Sequence, residues 1–178
     1  MYEIALTNAE VLDMFYDMVR GWFKRTGRNY NGFVKALLAG NLKEMNVYMN
    51  QVALQTFSYF DAGTKPSETQ QPENFYHGFV LGLVVELAGE YVVTSNRESG
   101  LGRYDVVIEP IDLKKDGFIL EFKVHDKDDE ATLEDTVAAA HQQIEEKQYE
   151  ATLLAKGIPE EKIHKYGFAF EGKKVLIG

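Results

Sequence analysis

The segment GFILEFKV, residues 117–124, has the apolar character of a central β-strand but carries two charged side chains. Side chains alternate between the two faces of a strand, so Glu121 and Lys123 are predicted to lie on one face together with Ile119. Charges inside a sheet are costly unless they are paired or bind a metal ion. The segment therefore indicates either a functional site or a cross-strand ion pair at the margin of a sheet.

A second carboxylate lies on the preceding predicted strand, within RYDVVIEP. The loop between the two strands is centred near Leu113, so a hairpin would pair residues whose numbers add up to about 226. In that register Asp105 faces Glu121, and opposed carboxylates repel each other unless a divalent cation lies between them. Ligands that are all oxygen suit Mg²⁺ or Mn²⁺ rather than zinc. Lys123 would then orient a water molecule or stabilise the charge of a phosphorane-like transition state.

A third carboxylate comes from an apolar helix predicted over residues 72–88. The stripe of this helix that is predicted to face the sheet comprises Glu73, His77, Val80 and Val84. Glu86 lies about 220° around the helix from Glu73, so we prefer Glu73 as the ligand. Alternatively, Glu73 complements the positive helix N-terminus, and His77 is a core histidine whose hydrogen bonds are satisfied.

The elements that must position these residues follow the order of an α/β protein. Strands are predicted at residues 91–95, 104–109, 118–124, 166–170 and 174–177, the last two as a hairpin. A long charged helix is predicted from Leu133 to Lys156, between the third and fourth strands. We therefore expect an α/β sandwich with a mixed sheet.

The first part of the chain shows a helical pattern from Asn8 to about Phe60, interrupted twice by turn residues. Residues 61–72 are rich in Gly, Pro, Ser, Thr and Gln, which is typical of a loop or linker. The helices carry no convergent set of polar side chains. We predict a small helical subdomain at residues 1–66, which serves packing or linkage, and a domain at residues 72–178 that carries the chemistry.

The net charge of the 178-residue chain is −9, and residues 1–70 contain as many acidic as basic residues. All of the excess negative charge therefore lies in the second part, which by itself argues against a free-standing nucleic-acid-binding protein but suits a socket for divalent cations. The chain has no cysteine, which excludes disulfides and thiolate metal sites. It also lacks a long apolar run and the features of a signal peptide, so we expect a cytoplasmic protein.

The order of Glu73, Asp105 and Glu121-x-Lys123 resembles the PD-(D/E)xK nuclease superfamily, in which a helix glutamate, a strand aspartate and an acid-x-lysine strand build a metal site. Gln143 and, six residues later, Tyr149 look like the helix glutamine–tyrosine element of RecB-type members of that superfamily. Five separated motifs make the resemblance specific: ENFYHGFVLGL, SNRESGLGRYDVVIEP, FILEFKV, QQIEEKQY and YGFAFEGKKV.

The same motifs resemble the PD-(D/E)xK domain found C-terminal to an AAA-ATPase-like domain in many bacterial proteins. TNAEVLDMF, ALLAGNLKEM and TFSYFD are similar to the segment that precedes that domain, so the resemblance covers nearly the whole chain. The chain contains no G-x-x-x-x-G-K-[ST] motif and cannot hydrolyse ATP through a P-loop. It is either a stand-alone relative or a piece of a longer protein, and an ATPase would be its partner.

The resemblance implies a restriction-endonuclease-like core and a metal-dependent nuclease that acts on nucleic acid, with DNA as the expected substrate. It implies Mg²⁺ or Mn²⁺ held by Asp105 and Glu121, with Glu73 as a helper ligand. Lys123 would be the catalytic lysine. His77 would lie beside the metal and the substrate, as a further ligand or as a partner of a ligand.

Four more residues are implied to contact the substrate or to order the site. Gln143 and Tyr149 would face it from the long helix and contact substrate or order Lys123. Arg97 and Arg103 flank a glycine-bearing loop, where guanidinium groups could bind phosphate oxygens. Each arginine could instead pair with a surface acid such as Glu98.

Two readings from other functional classes stay open. The first is a catalytically inactive PD-(D/E)xK-like module that binds its ligand without turnover and works with an ATPase partner, since fold alone does not establish activity. The second is an interaction domain whose acidic run, residues 126–135, binds a basic partner. Such a run is also typical of solvated surface.

Overall fold

The computed structural model describes residues 30–56 and 72–178, with side chains over residues 32–55 and from residue 75 onward. Three helices come first: α1 (Tyr30–Leu38), α2 (Leu42–Thr56) and α3 (Pro72–Val84). A 3-10 turn (Val85–Leu87) continues α3, so the apolar helix predicted over residues 72–88 is confirmed apart from this tightened last turn.

Five strands form one mixed sheet in the order β1-β2-β3-β4-β5. Their bounds are β1 (Tyr91–Ser99), β2 (Gly102–Pro110), β3 (Gly117–Val124), β4 (Ile163–Glu171) and β5 (Lys174–Ile177). The β3–β4 pair is parallel and the other pairs are antiparallel. The predicted mixed sheet and the final hairpin are confirmed. β1 extends four residues past its predicted end because it lies at the sheet edge, where polar residues are tolerated.

The connection between β3 and β4 corrects the prediction of one helix from Leu133 to Lys156. It contains α4 (Leu133–Lys147) and a short α5 (Ala151–Ala155). Gln148 adopts a left-handed conformation with φ of 52° and ends α4. The tip of the β1–β2 hairpin packs against this end, and the N–H of Leu101 donates to the carbonyl of Lys147 at 2.7 Å. A contact with a distant hairpin therefore ends the helix.

Each face of the sheet is covered by a different set of helices. Phe118, Leu120 and Phe122 of β3 belong to a large core that includes buried side chains of α1, α2 and α3. Ile119 belongs to a smaller core on the opposite face, together with Ile144 of α4. The predicted alternation of β3 is confirmed, since its apolar side chains divide between the two faces as expected.

The two described N-terminal helices pack directly on the sheet. Asn46 and Asn50 of α2 each exchange two hydrogen bonds with the backbone of β5, at Ile177 and Val175. These bonds occupy the exposed edge of β5. The helical prediction is confirmed over residues 30–56, whereas the first predicted helix and the linker at 61–71 lie outside the described residues. The domain division therefore stays a prediction.

Within the described part of the chain, no helix combines the length and the apolar character needed to cross a membrane.

Candidate active site

The site begins where the β2–β3 ladder ends. In each of its three partner pairs, such as Val106–Leu120, the residue numbers add up to 226, which confirms the predicted register. One step further, this register places Asp105 opposite Glu121. The ladder does not reach them, and Asp105 Oδ2 instead accepts a hydrogen bond from the N–H of Phe122 at 2.8 Å. A carboxylate thus replaces backbone pairing at this point.

Burial raises the pKa of Asp105 above its ordinary value. The hydrogen bond from the Phe122 N–H and the nearby His77 and Lys123 lower this pKa, but they offset the burial only in part. The ionised carboxylate is therefore held in a setting that disfavours negative charge. A bound cation would remove that penalty, which is the electrostatic behaviour expected of a metal ligand.

Glu121 is 2% exposed and lies on the α4 face of β3. Its Oε1 accepts a hydrogen bond from Nε2 of Gln143, which projects from α4. The carbonyl oxygen of the same amide accepts from Lys123 Nζ at 2.8 Å. Gln143 therefore bridges the acidic and the basic residue of the E-x-K segment. Only one orientation of the amide satisfies both neighbours, because the nitrogen donates and the oxygen accepts.

Tyr149 lies just beyond the end of α4 and is 1% exposed. Its hydroxyl oxygen is 3.1 Å from Gln143 Nε2, and its O–H donates to the carbonyl of Arg103 at 2.6 Å. Burial raises the pKa of Tyr149, and the charges of Glu121 and Asp105 add to the increase, whereas the bond from Gln143 lowers it. Tyr149 thus contacts Gln143, the other residue of the predicted glutamine–tyrosine element. Its ring is buried in the protein and is not exposed to a substrate.

His77 lies on the other side of the sheet, on α3. It is buried together with Val80 and Val84, so these members of the predicted stripe do face the sheet. Nε2 is 2.9 Å from Ser95 Oγ, and Nδ1 is 3.3 Å from the amide nitrogen of Asn96. Both ring nitrogens are therefore engaged by β1, which agrees with a core histidine whose hydrogen bonds are satisfied.

Glu73 lies in the first turn of α3, and its side chain is outside the described set. Glu86 is exposed, as its predicted direction away from the sheet requires. Among the side chains that the structure describes, no group of three or more acidic or histidine residues could hold a metal ion. The register places Asp105 opposite Glu121, and two carboxylates are a ligand set that suits Mg²⁺, which usually keeps several water ligands.

Arg97 and Arg103 are exposed on the two strands of the β1–β2 hairpin. Arg103 stands opposite Glu98 in the ladder, yet neither arginine forms an ion pair with any residue in the described ranges. The two guanidinium groups are thus not neutralised by the acids around them. Arg103 precedes Asp105 by two positions on β2.

A cleft of about 600 Å³ lies beyond the end of β3, outside this constellation. It is lined by residues of the β3–α4 loop, the first turn of α4 and β5, among them His125, Lys127 and Glu171. Asp105, Glu121 and Lys123 do not line it. This cleft is therefore separate from the carboxylates and the lysine of the constellation.

Ser95 and Asn96 are the residues near the site that sequence analysis missed. Asn96 has a φ of 52°, a conformation that asparagine adopts more readily than most side chains. The polar run SNRES could have pointed to them, since such residues are depleted in strands.

A family model described as the PD-(D/E)XK nuclease superfamily matches residues 71–178. The match includes all five strands and every site residue discussed above, and it supports a function of the nuclease type in general. No curated protein and no solved structure matches the chain. The five-stranded mixed sheet between helices is consistent with a restriction-endonuclease-like fold. The chain belongs to the PD-(D/E)XK nuclease superfamily.

Proposed function

We propose that this protein is a metal-dependent nuclease that hydrolyses phosphodiester bonds of nucleic acid, with DNA as its substrate and Mg²⁺ or Mn²⁺ as its metal. The observation that carries this proposal is the arrangement around the end of the β2–β3 ladder. Asp105 leaves the ladder to accept the Phe122 N–H, and Gln143 joins Glu121 to Lys123. Two carboxylates and a lysine are thus held at one place by bonds that a purely structural sheet would not need.

Asp105 and Glu121 would hold the divalent cation, with Glu73 as a helper ligand. Superfamily members generally use divalent metals, and the oxygen donors here suit a hard cation. When bound, such a cation supplies Lewis-acid polarisation of a phosphoryl oxygen and lowers the pKa of bound water. The raised pKa of Asp105 supports this assignment, since a cation would offset the cost of its buried charge.

Lys123 would stabilise the negative charge that develops on phosphorus-bound oxygens in the transition state. The residue is half-buried, and its ammonium group donates a hydrogen bond to Gln143, which holds it in place. A donor that is positioned before the reaction needs no reorganisation during it, which makes its charge more effective. Tyr149 would act through Gln143 instead of contacting the substrate, because its ring is buried.

Arg97 and Arg103 would bind phosphate groups beside the scissile bond. They present cationic groups without partners among the described acids, on a chain whose net charge is −9. The approach of DNA would therefore depend on these arginines, on the bound cation or on a more basic partner. The resemblance to domains that follow an AAA-ATPase-like domain favours an ATPase as that partner.

The metal site is tested by thermal unfolding during titration with MgCl₂ or MnCl₂. A cation that binds only the folded state adds about 2.7 kcal/mol of stability at 100 times its Kd. The parent should show this stabilisation and Asp105→Ala should lose it. Glu86→Ala, which removes an exposed glutamate from the 3-10 turn that follows α3, should behave like the parent. A parent protein without metal-dependent stabilisation would contradict the proposal.

Catalysis is tested by cleavage of single-stranded, duplex and branched DNA, with RNA as a comparison. Lys123→Ala should keep the metal-dependent stabilisation but lower the cleavage rate about 10²–10³-fold, as expected when a positioned transition-state donor is removed. Lys114→Ala, at an exposed lysine in the β2–β3 loop, is the matched control. Metal binding without cleavage of any substrate would contradict catalysis and favour the inactive binding module.

A further inference from the structure

β2 has no regular pairing at Asp105 on either side. The β1–β2 register continues unchanged past this point, with Ser95–Val106 before it and Arg97–Tyr104 after it. Asn96 and Asp105 stand opposite each other in that register but are not partners. On the other side, the β2–β3 partners stop at Val106–Leu120. The same residue therefore escapes both ladders.

The break in β1 originates at Asn96. Its left-handed backbone, with φ of 52°, turns the strand at this one residue. Consecutive side chains of a regular strand point to opposite faces, yet Ser95 and Asn96 both contact the imidazole of His77. The two side chains are brought to one side because the backbone between them has left the extended conformation.

His77 fastens this turn to α3. The side-chain nitrogen of Asn96 can only donate, so Nδ1 of His77 must accept. In the neutral ring the proton then lies on Nε2, which donates to Ser95 Oγ. The same imidazole packs against Phe122, with ring centroids 5.6 Å apart. Phe122 is the residue whose N–H is bound by Asp105, so a continuous set of contacts joins Asn96 to Asp105.

The escape from the ladders explains how Asp105 reaches Phe122. Side chains stand roughly perpendicular to a regular sheet, whereas the N–H groups of a neighbouring strand lie close to its plane. A paired Asp105 would therefore direct its carboxylate away from the Phe122 N–H. Without pairing, Oδ2 accepts this N–H, and no described residue forms a hydrogen bond with Oδ1.

We propose that Asn96 is a positioning residue for Asp105, which it releases from the sheet through its left-handed backbone and its bond to His77. The role of Asp105 as a cation ligand rests on the proposed function. The positioning of its carboxylate by Asn96 does not. In this arrangement His77 holds Asn96 and offers neither ring nitrogen to a metal. The pairing of β2 is thus interrupted at a single residue, Asp105, whose carboxylate is the proposed ligand.

The first test measures Mn²⁺ affinity by titration calorimetry for Asn96→Ala, Asn96→Gly and the control Asn50→Ala. Loss of a residue that positions a ligand typically costs 10–100-fold in metal affinity, so Asn96→Ala should raise the Kd for Mn²⁺ at least about tenfold. Asn96→Gly should raise it less, because glycine keeps the left-handed backbone without strain. Asn50→Ala removes structural bonds to β5 and should lower Tm with no change in Kd.

A parent-like Kd for Asn96→Ala, or an equal loss of affinity for Asn50→Ala, would overturn the proposal. A second readout needs no metal. In the parent, the NMR shift of the Phe122 amide proton should follow the titration of Asp105, and ¹⁵N shifts should place the His77 proton on Nε2. Asn96→Ala should reduce the response of the Phe122 amide, and an unchanged response would contradict the proposal.

The two readouts separate the failure of this inference from the failure of the proposed function. If the parent binds no Mn²⁺, the metal site is wrong, and the Phe122 amide alone decides the role of Asn96. If the parent binds Mn²⁺ but Asn96→Ala leaves both readouts unchanged, the positioning role is wrong and the metal site stands. A His77 proton on Nδ1 would likewise overturn the part assigned to the Asn96 side chain.

Discussion

The ammonium group of Lys123 donates a hydrogen bond to the side-chain carbonyl of Gln143, at 2.8 Å, across the space between β3 and α4. The lysine is thereby held by a helix residue that follows it by 20 positions in the chain. The amide nitrogen of Gln143 donates at the same time to Glu121. One uncharged side chain thus sets the positions of both charged residues of the E-x-K segment.

Replacement of Gln143 by alanine should slow cleavage while leaving substrate affinity nearly unchanged. Lys123 would keep its charge but lose the acceptor that holds it, so the interaction made in the transition state would suffer most. We expect a fall in kcat of about 10–100-fold with little change in KM. Gln142→Ala, at an exposed neighbour that binds Glu146, is the control. A change confined to KM would show that Gln143 contacts the substrate.

Replacement of Asp105 by asparagine should change how stability depends on pH in metal-free protein. The pKa of Asp105 is raised in the folded state, so the folded protein binds its proton more tightly than the unfolded chain. Stability contributed by this group is present below the ordinary pKa and declines as the pH rises through the raised one. Asparagine retains an acceptor for the Phe122 N–H but does not titrate.

Urea denaturation in EDTA at a series of pH values measures this difference. The stability of the parent relative to Asp105→Asn should fall as the pH rises from below 3.8, the ordinary pKa, through the raised value, and then become constant. Mn²⁺ affinity should increase over the same range, because the cation competes with the proton. If the stability of the parent relative to Asp105→Asn instead rises with pH, the Phe122 hydrogen bond and the charges of His77 and Lys123 outweigh the effect of burial on Asp105.

Replacement of Tyr149 by phenylalanine should destabilise the protein and loosen Gln143. The buried hydroxyl donates to the Arg103 carbonyl and accepts from Gln143, and its loss leaves both groups without this partner. We expect a cost of about 1–3 kcal/mol in the free energy of unfolding, measured in urea. Cleavage by the folded variant should slow in the same sense as for Gln143→Ala. A Tyr149→Phe variant with the activity and the stability of the parent would contradict a role of the hydroxyl in holding Gln143.

Replacement of Gly100 by alanine should destabilise the contact between the β1–β2 hairpin and the end of α4. Gly100 has a φ of +58°, and an added Cβ would overlap the carbonyl oxygens of Lys147 and Gln148. Gly172 has the same φ but open space around it, so Gly172→Ala isolates the conformational cost of about 1–2 kcal/mol. Urea denaturation should show a clearly larger loss for Gly100→Ala. Equal losses of stability for the two variants would mean that the β1–β2 hairpin shifts away from the end of α4 at little cost.

Local patterns were sufficient to predict the central part of the site. The faces of Glu121 and Lys123 follow from strand alternation, which is a property of the backbone. The register that directs Asp105 toward Glu121 follows from the length of the loop between two adjacent strands. The stripe that buries His77 follows from helical periodicity. Each of these relationships depends on residues that are close together in the chain.

Contacts between distant residues determined what the sequence could not. The end of α4 at Gln148 depends on the hairpin tip near Gly100, because a helix stops where packing satisfies its last carbonyls more effectively than another turn would. At the left-handed turn of Asn96, the side-chain partner is His77, which comes from another element. Sequence by itself thus determined which side chains share a face. Only the tertiary structure decided that Asp105 leaves the ladder, that Gln143 bridges Glu121 and Lys123, and that Tyr149 is buried. The physical reason is that alternation and periodicity are local backbone geometry, whereas hydrogen-bond partners and packing come from segments that only the folded chain brings together.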